Sequence, residues 1–91
     1  MTRIPPYTIP DDIAAAIADP ADNPIAEAVA ERINAYSNAL AAAAARHNGF
    51  PPTVVLTAPD DAISYSALEL FRRQLADAGI DVAIRFQTST P

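Results

Sequence analysis

The residues best placed to do chemistry are Asp60 and Asp61, adjacent carboxylates in the stretch Pro59–Asp60–Asp61–Ala62–Ile63–Ser64. They fall between an apolar run and a following helical segment, the region where open α/β sheets bind ligands. Two neighbouring carboxylates suit a magnesium ion, but such sites draw on further carboxylates or a phosphate. A phosphate is a poor occupant, because two acids repel it and no glycine-rich turn is present to cradle it. Helix capping and loop solvation account for both residues. His47 is the only histidine, and it ends a helical stretch where its positive form complements the helix dipole. No acid or serine is tied to it by a motif, and Ser64 and Ser66 are explained by turn and capping chemistry. The residues therefore point to no catalytic group, no cofactor and no metal, and the expectation is a non-enzymatic protein.

Side chains suited to recognition are easier to find. Arg85 and Gln87 lie on the polar side of an alternating run near the C-terminus, and arginine is enriched at protein interfaces. Tyr7 and Ile9 alternate with polar neighbours in a proline-bearing N-terminal stretch and, with Ile4, can supply contacts to a surface. These five, Ile4, Tyr7, Ile9, Arg85 and Gln87, are the expected protein-interaction residues. Arg72 and Arg73 read as a solvated basic spot.

Composition narrows the partners. The 91-residue chain has a net charge of −5, and all six of its cations are arginine. That balance lacks the electrostatic footprint of a nucleic-acid binder. The acids are scattered, with Asp11–Asp12 and Asp60–Asp61 as the only adjacent pairs, which does not make a DNA mimic. No run is long enough to span a membrane, and Met1 to Pro10 holds prolines and polar residues where a signal peptide would be apolar. A cytoplasmic location is expected, or a virion if the source is a phage. With no cysteine, neither disulfides nor thiolate-bound metal can reinforce so small a core. The apolar share of 51% leans on alanine, which buries little area. Oligomerisation or docking onto something larger is the usual remedy.

The elements that position these residues follow from caps and periodicity. Pro5, Pro6 and Pro10 favour an extended arm over residues 1–10, ahead of a single small α/β domain over 11–91. A short helix is predicted from Asp11 to about Ala18, ended by Asp19–Pro20. Asn23 as cap and Pro24 at the first helical position start a long helix over 24–47, with Ile25, Val29, Ile33, Tyr36, Leu40 and Ala44 on one stripe. Asn48–Gly49 stops it. Its five-alanine run, Ala41 to Ala45, reflects helix propensity with a thin spot where another backbone can approach, or else a close-packed helix–helix contact in an oligomer. Thr53 to Ala58 reads as a strand between prolines. Ser66–Ala67–Leu68–Glu69 has the form of a capping box, with Tyr65 and Leu70 as its staple, although the helix can begin a turn earlier, at Asp61 or Ala62. Leu68, Phe71, Leu75 and Ala78 form its inward face, and Gly79 followed by Ile80 closes it. Asp81 to Gln87 alternates as a half-buried strand, with Ile80, Val82, Ile84 and Phe86 inward.

Strand, helix and strand in that order make a βαβ crossover with two parallel strands. The long helix should pack beside the crossover helix, giving a small two-layer α/β fold. Two strands are marginal alone, and both edges present unpaired backbone groups. The chain is therefore expected to bind a protein or itself through those edges and the arm. A structural or interaction subunit, such as a small component of a phage particle or other multiprotein assembly, fits this pattern. The alternatives are a small phage or mobile-element inhibitor of a host or defence protein, and a small enzyme or ligand-binding domain using the Asp60–Asp61 loop.

Overall fold

A computed structural model describes residues 7–89. They form three helices and two strands: α1 (Asp11–Ala18), α2 (Pro24–His47), β1 (Thr53–Pro59), α3 (Ala62–Asp77) and β2 (Ala83–Ser89). The fold is small α/β, with β1 and β2 parallel neighbours joined through α3. The helices α2 and α3 lie side by side over one face of the strands, and α1 packs on α2.

Local chemistry sets most of the boundaries. The Asn23 side chain accepts from the Ile25 N–H at 3.0 Å, and Pro24 occupies the first turn, where its missing N–H costs nothing. At the other end Asn48 takes the left-handed conformation, with φ of 60°, and the Gly49 N–H reaches back to the Ala44 carbonyl at 3.0 Å. The same closure ends α3. Gly79, at φ of 73°, donates to the Ala76 carbonyl and Ile80 donates to that of Leu75, the paired bonds of a left-handed helix stop.

The start of α3 differs from the capping-box reading. Asp61 caps the helix, its carboxylate accepting from the Ser64 N–H at 2.7 Å, so the earlier of the two possible starts is the one adopted. Ser66 then lies inside the second turn, wholly buried, and Glu69 caps nothing. The strand β2 is also displaced, to Ala83–Ser89 instead of 81–87. The reason is its partner: β1 begins only after Pro51–Pro52, so the ladder opens with Thr53 opposite Ala83 and closes with Pro59 opposite Ser89.

One core joins the layers. Val54, Leu56 and Ala58 from β1 meet Val29, Tyr36 and Leu40 from α2 and Ala67, Phe71 and Leu75 from α3, and Ile13 of α1 joins the same cluster. Ile84 and Phe86 of β2 pack against this cluster while only half-buried. Ala78, placed on the inward face by sequence, is exposed instead. Tyr36 is the central side chain. Its ring lies 5.9 Å from that of Phe71 and 6.3 Å edge-on from that of Phe86, and its hydroxyl donates to the Ser64 carbonyl at 2.9 Å. Burial, its dominant cause, pushes the Tyr36 hydroxyl up to about 12 against the opposing charge of Arg32, so it stays protonated.

Tyr36 thus couples ring packing to a helix–helix hydrogen bond, and the two can be separated. Tyr36→Phe should cost about 1 kcal/mol in chemical denaturation, the net value of one buried bond. Tyr36→Ala should cost about 3–5 kcal/mol, because it opens a cavity beneath both helices. Equal losses from the two variants would contradict this division.

Candidate interaction surface

The sheet has one covered face and one open face. Strand alternation puts Val54, Leu56 and Ala58 under the helices and turns Thr53, Val55 and Thr57 outward. The register places Arg85 beside Val55 and Gln87 beside Thr57, and all four side chains are exposed. Val55 is the unusual member, a β-branched apolar side chain that is 47% exposed in mid-strand. The surface is therefore a shallow patch of threonine, valine, arginine and glutamine, bordered by two sheet edges that pair with nothing among the described residues. Apolar contact at its centre with hydrogen-bonding groups around it suits a protein surface.

Of the expected interaction residues, Arg85 and Gln87 lie on this open face. Tyr7 and Ile9 lie elsewhere, on the helical side, where both are half-buried against the chain's own domain. Ile4 is outside the described residues. The Tyr7 ring stacks on Tyr65 with centroids 5.5 Å apart, and Tyr65 in turn lies 5.4 Å from Phe86. The arm from Tyr7 to Pro10 is thereby connected to the back of β2 through aromatic contacts.

A buried carboxylate fixes that arm, and sequence reading missed it. Glu69 is only 4% exposed. Its Oε1 accepts from the Tyr7 N–H at 3.2 Å and from Arg72 at 2.7 Å, and its Oε2 accepts from Arg73 at 2.9 Å. Arg72 and Arg73 are thus ion-pair partners, not merely a solvated spot. Burial raises the pKa of Glu69 and is the largest single influence, but the bonds from Arg72, the Tyr7 amide and Arg73 together hold it below the ordinary carboxylate value. The i, i+3 and i, i+4 spacing of Glu69, Arg72 and Arg73 was visible in the sequence. The third donor, Tyr7, is 62 positions away, and nothing local reveals it.

The two acids weighed for catalysis have other partners. Asp61 caps α3, and the bond from the Ser64 N–H is the main cause holding its carboxyl below the usual range. Asp60 accepts from the Tyr65 hydroxyl at 2.7 Å, and that bond is the main cause raising the Tyr65 pKa. Among the described residues no three or more His, Asp or Glu side chains gather as a metal site. His47 is exposed in the last turn of α2. Ser64 and Ser66 are fully buried, with no hydrogen-bond partner for either hydroxyl among the described residues. Two open grooves flank the helix pair, one of about 330 Å³ bordered by Ile17, Val29, Ile33 and Leu70, the other of about 340 Å³ bordered by Leu40, Phe50, Phe71 and Ile80. No described helix is long and apolar enough to cross a membrane. Compared with protein-family models, with curated proteins and with solved structures, the chain matches none.

The Glu69 cluster makes arm docking depend on pH. A lowered carboxylate pKa contributes stability that is present above the unfolded value and is lost as pH falls through the folded one. Both Glu69 and Asp61 act in this sense, so stability should be level above about pH 5 and decline below it. Glu69→Gln should cost about 1.5–3 kcal/mol, the range for hydrogen bonds to a charged group. The same variant should raise the exchange rate of the Tyr7 amide and flatten the acid limb of the stability profile. An unchanged acid limb would show that Glu69 does not hold the arm.

Proposed function

We propose that this protein is a non-enzymatic structural or protein–protein interaction subunit, of the kind used as a small component of a phage particle or other multiprotein assembly. On this reading it works in the cytoplasm, or in a virion if phage-encoded, and its partner is a protein and not nucleic acid or lipid. The observation that carries the reading is the open side of the sheet. A two-stranded parallel ladder with both edges unpaired among the described residues, and with Val55 exposed among Thr53, Thr57, Arg85 and Gln87, is an unfinished layer. The Asp60–Asp61 loop favours the same conclusion, since its acids are engaged by the Ser64 amide and the Tyr65 hydroxyl.

The arm has a different part in this account from the sheet. Tyr7 and Ile9 are packed on the chain's own domain, so their contribution to a partner is indirect: they hold the back of α3 and, through Tyr65, the Phe86 side of β2.

Site-specific photocrosslinking in the cells that make the protein tests this reading. A photoreactive residue in place of Val55 or Gln87 should give protein adducts, while one in place of Glu31, exposed on α2, should give none. Equal labelling from all three positions, or none from the sheet, would count against an interaction surface there.

A further inference from the structure

The register of the ladder decides which backbone groups are left over. Ala83 lies opposite Thr53, and its N–H donates to the Pro52 carbonyl at 3.0 Å. In a parallel ladder a residue that bonds its neighbour does so with both its N–H and its C=O, and the next residue turns both away. Ala83, Arg85 and Gln87 therefore bond β1, while Ile84, Phe86 and Thr88 direct their N–H and C=O groups to the open edge of β2. On β1 the outward set is Thr53, Val55, Thr57 and Pro59.

The two edges are not equivalent. β1 is preceded by Pro51 and Pro52 and ends on Pro59, and prolines at the ends of an edge strand oppose the addition of another. β2 contains no proline from Ala83 to Ser89, and Arg85 is its single charge. Apart from that charge it has no proline, and no neighbour pairs with its outer side among the described residues.

Building on the interaction reading above, we infer that the partner of this edge is a second copy of the chain, added antiparallel to β2 about a two-fold axis at Phe86. The free groups can bond only if Ile84, Phe86 and Thr88 oppose one another. With the axis at Phe86, Phe86 faces Phe86 of the second copy and Ile84 faces Thr88, each opposed pair exchanging two hydrogen bonds. On the open face Arg85 then lies opposite Gln87 of the second copy, a donor beside an amide oxygen. Shifting the axis to Arg85 would set two arginines directly opposite, which is repulsive. Shifting it to Gln87 would leave Ile84 without a described partner. On the helical side the axis brings together two Phe86 rings that are half-buried in one chain, a favourable cross-strand aromatic pair. The product is a four-stranded sheet with β1 at both outer edges, an isologous dimer.

Sedimentation equilibrium of the pure chain should give twice its 9.6 kDa mass. Thr88→Pro removes an outward N–H and should weaken the dimer roughly tenfold or more while leaving the intramolecular ladder intact. Thr57→Pro removes the matching outward N–H of β1 and should leave dimerisation unchanged. If the Thr88 variant does not fold, a dimer of labelled and unlabelled wild-type chains decides the matter, with intermolecular NOEs expected between Arg85 and Gln87. A wild-type monomer at about 100 µM, dissociation by Thr57→Pro instead, or a dimer lacking those NOEs overturns the inference. A monomer whose Val55 probe captures a different protein overturns the second copy alone. A monomer that captures nothing also ends the broader reading.

Discussion

A parallel pair of strands can satisfy only half of its own backbone groups, and that constraint governs this molecule. Each residue of β1 and β2 turns its backbone groups either inward to the other strand or outward to an edge that no other described strand pairs with. A hairpin would not remove the difficulty, but it would at least place the strands next to each other in sequence. Here the crossover helix α3 must intervene, and its packing must supply what the short ladder cannot. The buried face of the sheet is accordingly tied to both helices by Val54, Leu56 and Ala58. The opposite face is left to solvent.

The same requirement explains how the helical layer is fastened. An aromatic chain runs from Tyr7 through Tyr65 and Phe86 to Tyr36 and Phe71. It links the arm, α3, β2 and α2 with large rings where alanine-rich helices offer little surface. Glu69 adds the one strongly buried charge in this region. Taking a carboxylate from water is costly, and it is tolerated here because two guanidinium groups and a backbone amide converge on it. Both partners of that ion pair lie on α3 itself, so the energetic novelty is the Tyr7 amide. The arm is recruited to complete a carboxylate's hydrogen bonding.

Much of this was legible in the residues where the information is local. Asn23–Pro24 and Asn48–Gly49 bracket α2 because caps act within one turn, and the helix runs from Pro24 to His47 as they imply. The alternation of Ile84, Arg85, Phe86 and Gln87 identified the open face, since a strand turns side chains out with period two. Failures occurred where a local pattern had a rival at longer range. Ser66 and Glu69 have the spacing of a capping box, yet Asp61 offers a cap one turn earlier, and burial of Glu69 beside Tyr7 favours that register of the helix. Val55 sits between Val54 and Leu56, so no alternation shows which valine faces out. β2 shifted by two residues because its ends are fixed by the prolines of β1. Parity of the free backbone groups is likewise a property of the pairing, not of either strand.

That parity is the central claim, and amide hydrogen exchange measures it most directly. In dilute protein, where any dimer is dissociated, the Arg85 and Gln87 amides should exchange slowly because they bond β1. The Ile84, Phe86 and Thr88 amides should exchange fast, giving an alternating profile along a single strand. Uniform protection from Ile84 to Thr88, or protection with the opposite parity, would contradict the account.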